Sequence, residues 1–240
     1  MLTAIYTTIL YQPLYNILIF LYNIIPGQDV GIAIIALTVL IKLLLYPLSR
    51  KSIKSQKDLQ ELQPKIDQLK EQYKDDREKM AGEMMKLYKE SKVSPFSSCL
   101  PLLIQLPFFI AVYQVFRSGL TSESFDLLYS FVANPNQINH IFLGLIDLSR
   151  PNVVLALLAG AGQFFQTKMY TRRKPEQKST GSKDENMMAM MNKQMLYVMP
   201  IFTVVIGFSL PGGLTLYWLV TTLLMIFQQY FIFKKKTDAT

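Results

Sequence analysis

Residues 30–52 read VGIAIIALTVLIKLLLYPLSRKS. From Val30 to Ser49 this run carries one charge, Lys42, and Arg50 and Lys51 follow at once. About 20 apolar residues, at about 1.5 Å of rise each, take an α-helix across the hydrocarbon of a bilayer. The run therefore reads as a membrane span with its basic end at the cytoplasmic face.

Lys42 is the anomaly. A charged side chain at the bilayer centre costs about 2.5–3.5 kcal/mol on insertion scales. In a straight helix Lys42 would lie roughly 10 Å below Ser49, a distance that a snorkelling lysine stem largely recovers. Thr38 lies one turn before it and Tyr46 one turn after, on the same face. Other apolar stretches carry Gln105, Gln114, Gln163, Gln166, Gln228 and Gln229, and none carries Asp or Glu. Polar groups on several spans, with no carboxylate to pair the lysine, point to a shared wet cavity. A snorkelling anchor is the alternative reading of Lys42 taken alone.

A composition of 50% hydrophobic residues is within reach of a soluble domain, so the distribution has to decide the class. Charges crowd into blocks, and between them lie the apolar stretches 97–116, 152–169 and 213–233, with 196–210 shorter and at the margin of spanning length. Near the N-terminus Leu14, Ile17, Leu18, Leu21 and Ile25 recur at helical spacing, among Gln12, Pro13, Asn16 and Asn23. This is read as a helix lying in the interface, with a further span as the alternative. No Lys or Arg precedes Lys42, which argues against a secretory signal.

Retained Lys and Arg mark the cytoplasmic side. Residues 50–92 hold twelve Lys/Arg against nine Asp/Glu, residues 172–192 are again basic, and Lys234 to Lys236 follow the last span. Between the second and third spans only Arg117 and Arg150 stand against Glu123, Asp126 and Asp147, and the tight turn PGG joins the fourth and fifth. Five spans with an external N-terminus and a cytoplasmic C-terminus satisfy every loop.

The first cytoplasmic block has its own periodicity. Leu59, Leu62, Ile66, Leu69 and Tyr73 make one helix face, Met80, Met84, Leu87 and Tyr88 a second, and Lys74 to Asp76 a turn between them. Pro64 is expected to start a new helix. Two helices burying these stripes against each other form a hairpin, whose basic exterior could meet lipid headgroups, nascent chains or ribosomal RNA. Residues 172–192 read as a flexible linker, followed by a Met-rich lead into the fourth span.

Nothing points to an enzyme or to a cofactor. There is no P-loop and no H-E-x-x-H, the single Cys99 excludes an intrachain disulfide, and His140, the one histidine, falls in the external loop. No inverted repeat of the transporter kind is visible.

Several stretches carry a resemblance. KVSPFSSCLPLLIQLPFFIAVYQVF (92–116) is similar to the second core span of the YidC membrane protein insertases. TVLIKLLLYPLS (38–49) resembles their first core span, where the family usually has arginine at the place of Lys42. LQPKIDQLKEQY (62–73) and EKMAGEMMKLYKE (78–90) resemble the two helices of their cytoplasmic hairpin, and PGGLTLYWLVTTLLMIFQQYFI (211–232) their last span. The likeness runs from Gln12 to Lys235. It implies an all-α integral membrane protein with five transmembrane helices around a hydrophilic groove open to cytoplasm and lipid. The implied form is a bacterial one, short, without the large extracytoplasmic domain of many Gram-negative members.

By the same resemblance the groove charge falls on Lys42, a groove threonine on Thr38, and the aromatic position of the last span on Trp218, next to Tyr217; Gln105 and Gln163 are weaker transfers. Lysine keeps the charge and loses the guanidinium fork. The implied partners are nascent membrane protein clients and lipids, with ribosome or Sec translocon contacts falling to the hairpin and the 172–192 linker, and with no nucleic-acid specificity. The protein is expected to be a monomer in the bacterial plasma membrane.

The expected layout assigns 1–29 to the N-terminal interfacial segment, 30–53 to the first span, 54–94 to the hairpin and 95–117 to the second span. Residues 118–150 form the external loop, 151–170 the third span, 171–194 the linker, 195–210 and 213–233 the last two spans, and 234–240 a short basic tail. An ion channel or solute transporter is the rival function, and a passive assembly partner a second. A pore needs a polar path through both leaflets, and VGIAIIA, the outer half of the first span, is wholly apolar.

Overall fold

The computed structural model describes residues 5–94, 100–119, 122–171 and 194–234. Among these are eight α-helices: α1 (Gln12–Ile24), α2 (Val30–Leu44), α3 (Tyr46–Gln72), α4 (Arg77–Glu90), α5 (Leu100–Gln114), α6 (Val153–Thr171), α7 (Met199–Gly207) and α8 (Gly212–Lys234). π-helical turns lead into α1 and α7 and extend α5. The linker 172–192, Cys99 and the tail beyond Lys234 lie outside the described residues.

The described residues are mostly helical. At 23 residues α8 is about 34 Å long, and among the described residues it is the one helix long and apolar enough to cross a bilayer alone. The helices α2 and α3 pass the same test only as a pair bent by 69°. Through the centre the packing order is α7, α6, α8, α2, α1. On one side of α6 the small buried Ala156 and Ala159 let α7 approach closely.

The first predicted span is not one straight helix. Leu45 closes α2 at φ −84°, ψ −1°, and Pro47 enters the first turn of α3 without an N–H to continue the ladder. Lys42 thus stands in the last turn of α2, where a cation suits the helix C-terminus, and the straight-helix depth reckoned from Ser49 does not hold. Tyr46, exposed beyond the bend, does not share a face with Lys42. Pro64 is also read differently by the fold: α3 runs through it to Gln72. Its ring is exposed, so the bond it forgoes lies on the solvent side. A turn at 73–76, capped by the Asp76 carboxylate on the Lys79 N–H, then reverses the chain into α4.

The segment 122–150 between α5 and α6 is more structured than its sequence suggests, with a 3-10 turn (Ser122–Leu127) and an antiparallel hairpin, β1 (Ile141–Phe142) with β2 (Ile146–Asp147). The polar residues of α1 hold it. Asn16 donates to the carbonyls of Gln12 and Leu127 and accepts from the Tyr129 N–H, Gln12 donates to Leu127 and Asn23 to Ala133, and the Tyr22 hydroxyl accepts from the Asn139 N–H. Beneath these bonds Leu14, Tyr15, Leu18, Ile19 and Tyr22 are buried in the main core with Val30, Ile34 and Leu37 of α2.

The far end of the segment docks on two helix N-termini. Asp29 caps α2 through the N–H groups of Gly31 and Ile32, and its second oxygen accepts from the Leu143 N–H at 2.7 Å. Phe142 lies where a side chain on Gly31 would have to be, with a Cβ placed 2.1 Å from its ring. At α8 the N–H groups of Gly212 and Gly213 donate to the carbonyls of Arg150 and Leu148, which satisfies two orphan donors of the helix.

Candidate functional site

The site assembles where the last turn of α2 meets α5 and α8. Lys42 is 6% exposed. Its Nζ donates to Oε1 of Gln105 at 3.1 Å, and Nε2 of Gln105 donates in turn to the hydroxyl of Tyr217, itself buried. A chain of three polar groups thus links three helices. An ionised group in an apolar interior is normally paired with opposite charge. Among the described residues no carboxylate lies within ion-pair distance of Lys42, and an amide oxygen takes that place.

A small cavity adjoins this chain, lined by Lys42, Leu45, Ser49, Ser52, Gln105 and Met225. It has room for about one water molecule. Among the described residues the Ser52 hydroxyl is buried with no hydrogen-bond partner, which leaves a donor and acceptor on the cavity wall. Ser49, Ser52 and Gln56 recur along one face of α3 and lead from Lys42 toward the root of the hairpin. The sequence reading missed these residues. Their signal was present, a polar face at i, i+3 and i+7 just past the span, and it was masked by the charges around it.

The other expected residues divide. Thr38 is fully buried one turn from Lys42, but its hydroxyl donates back to the Ile34 carbonyl at 2.6 Å and, among the described residues, bonds nothing on a neighbouring helix. Trp218 is half-buried and packs edge-on against Phe109 of α5, with ring centroids 5.5 Å apart, beside the polar chain and not within it. Gln163 belongs to a different contact, its Oε1 accepting from the Thr203 hydroxyl of α7. The structure therefore joins Lys42, Gln105 and Tyr217 directly, sets Thr38 and Trp218 alongside, and bonds Gln163 at the α6–α7 interface.

The described residues thus form an assembly of largely apolar helices, one of them long and apolar enough to cross a bilayer, with a buried lysine held by an amide. The chain belongs to the family described as 60Kd inner membrane protein, whose model matches residues 20–239. It is 37% identical over 228 residues to a protein of Fusobacterium nucleatum named membrane protein insertase YidC, covering 94% of this chain and 98% of that one. Proteins of the same name from Pelobacter propionicus and Magnetococcus marinus are 36% and 39% identical over 96% and 93% of this chain. The matched parts are 40% and 35% of those longer relatives.

Proposed function

We propose that this chain is a membrane protein insertase and chaperone that takes nascent membrane proteins through a polar groove centred on Lys42, with no ATP hydrolysis and no covalent step. Five helices enclose that groove in this reading: α2, α5, α6, α7 with its π-helical lead, and α8. Its N-terminus is external, its C-terminus cytoplasmic, and the α3–α4 hairpin receives clients. The carrying observation is the chain Lys42–Gln105–Tyr217, a buried cation held by a neutral partner.

The physics is a matter of replacing lost water. A client's polar outer segment must cross hydrocarbon, where each unpaired backbone group costs several kcal/mol. Acidic groups in that segment can take the place of Gln105 on Lys42, because a charged acceptor makes the stronger bond. The client's apolar helix then leaves sideways into lipid, driven by about 25 cal/mol per Å² of apolar surface buried. The dry packing of Val30, Ala33, Ile34 and Leu37 in the outer half of α2 argues against a continuous pore. Hairpin contacts with ribosome or Sec translocon, and a monomeric state, belong to the same proposal.

Photo-crosslinkers at Thr38, Lys42 and Trp218 should capture a stalled single-span client, and one at the exposed Leu223 should capture far less. Equal capture from all four positions would reject a groove at Lys42.

A further inference from the structure

The turn between β1 and β2 is built against conformational preference. Leu143 and Gly144 both have positive φ, +51° and +71°, and the Leu145 N–H closes the turn on the Phe142 carbonyl. Primed turns of this kind favour Asn and Gly at the first position. A leucine there is strained, and such outliers persist only where the surroundings hold them. Here the hold is visible: the Leu143 N–H is bonded to Asp29, and Phe142 fills the space over Gly31. The strained turn nevertheless spends its leucines on exposure, with Leu143 62% and Leu145 86% exposed.

The attachment fixes the level of this tip. Asp29 is the residue from which the apolar run of α2 starts, and Gly31 lies in its first turn. A turn clamped to both lies level with the start of that apolar run. Exposed apolar residues recur at the start of α6, at Val153 and Val154, and between them and the turn in sequence stands the exposed Arg150, its Nε 3.6 Å from the Asp147 carboxylate. Apolar side chains beside an arginine at that depth are the composition of an interfacial anchor.

We propose that the Leu143–Leu145 turn is a lipid-docking tip, its two leucines seated among the acyl chains of the leaflet at the N-terminal end of α2, with Arg150 at the headgroups. A protein partner fits less well. Specific protein interfaces bury at least about 1,000 Å² in total, and two leucines on a turn offer a small fraction of that.

The test uses the full chain in liposomes, with Cys99→Ser and one environment-sensitive fluorophore on Leu145→Cys, or on Asn136→Cys as the control in the same segment. Both positions are exposed, and because Asn136 has a positive φ of 59° that cysteine also has to adopt, the unfolding transition of each labelled protein is checked first. The fluorophore at 145 should emit to the blue of that at 136. It should be quenched by phospholipids spin-labelled near the carbonyl end of the acyl chain, and severalfold less by aqueous iodide. Iodide quenching at 145 equal to that at 136 would overturn the proposal. So would shielding from both quenchers, or shielding that vanishes as the protein is diluted in lipid, since either means a protein covers the tip. The readout does not depend on client insertion, so it stands or falls apart from the insertase reading.

Discussion

Lys57 of α3 reaches the last turn of α8. Its Nζ lies 3.3 Å from the carbonyl oxygen of Phe233 and 5.7 Å from the centroid of that residue's ring, and the side chain is buried. A cation at a helix C-terminus, partly buried, stabilises by up to about 2 kcal/mol. The contact ties the root of the hairpin to the end of the longest apolar helix. Lys57→Met is therefore expected to cost about 1–2 kcal/mol and Lys57→Glu more. The check is the unfolding transition in detergent, together with faster amide exchange in residues 52–60 and 228–234. Unchanged exchange in either segment would dissociate the two ends.

Lys42 is expected to act as a charge and not as a shaped donor. Lys42→Arg should retain insertion of a client with an acidic outer segment. Lys42→Ala should impair it, and Lys42→Glu should be worse because it repels the same carboxylates. A neutralised version of the client should depend less on the residue. Proteoliposome insertion of the two clients across the three variants decides it. Acidic-client insertion by Lys42→Glu at the wild-type level would return the residue to a snorkelling anchor.

Gln105 holds the position that a client carboxylate would take, and a carboxylate fixed there should compete. Gln105→Glu is nearly isosteric and would pair with Lys42 inside the protein. A hydrogen bond to a charged group contributes about 1.5–3 kcal/mol. Displacing it should therefore lower acidic-client insertion by roughly ten- to a hundredfold, with folding intact. Gln105→Leu should behave differently, destabilising the fold by leaving the ammonium without its acceptor. If Gln105→Glu inserts acidic clients normally, exchange at Lys42 is not the limiting contact.

The two glycines opening α8 should respond differently to a methyl group. A Cβ on Gly213 would lie 2.4 Å from the Phe116 ring, and one on Gly212 would lie 2.9 Å from the Arg150 backbone oxygen. Overpacking of this kind costs about 1–3 kcal/mol. Gly213→Ala should be relieved by Phe116→Leu, since a side chain can be trimmed, whereas Gly212→Ala should not be. Thermal unfolding of the four variants gives the comparison, and rescue of Gly212→Ala by Phe116→Leu would contradict the geometry.

The sequence made the helices legible and much of their joining illegible. Apolar runs mark α2, α5, α6 and α8 because lipid and core alike demand apolar surface. Lys42 stood out because nothing in its run resembled it. The bend at Leu45 was hidden, since Pro47 reads equally well as the end of a span or as the first turn of the next helix. Pro64 misled for the converse reason: an exposed proline disturbs a helix little. Asn16, Asn23 and Asp29 were visible as polar residues, but their partners lie over a hundred positions away, and periodicity reports one face and not what it meets. Gln163 shows the same limit, because polarity in a span does not say which neighbour it serves.

The bonds between α1 and the segment 122–150 join residues 110 to 117 positions apart. At about 5–20 residues per second of synthesis, roughly 5–25 seconds pass between the appearance of Asn16 and that of its partners. During that interval the amide oxygen of Asn16, the hydroxyl of Tyr22 and the second oxygen of Asp29 lack the partners they have in the folded chain. These contacts thus close only after α5 has been made, and α1, the earliest helix, has to wait for them. In its own biogenesis the chain passes through the predicament it is proposed to relieve in others: a polar surface at the membrane whose partners have not yet been synthesised.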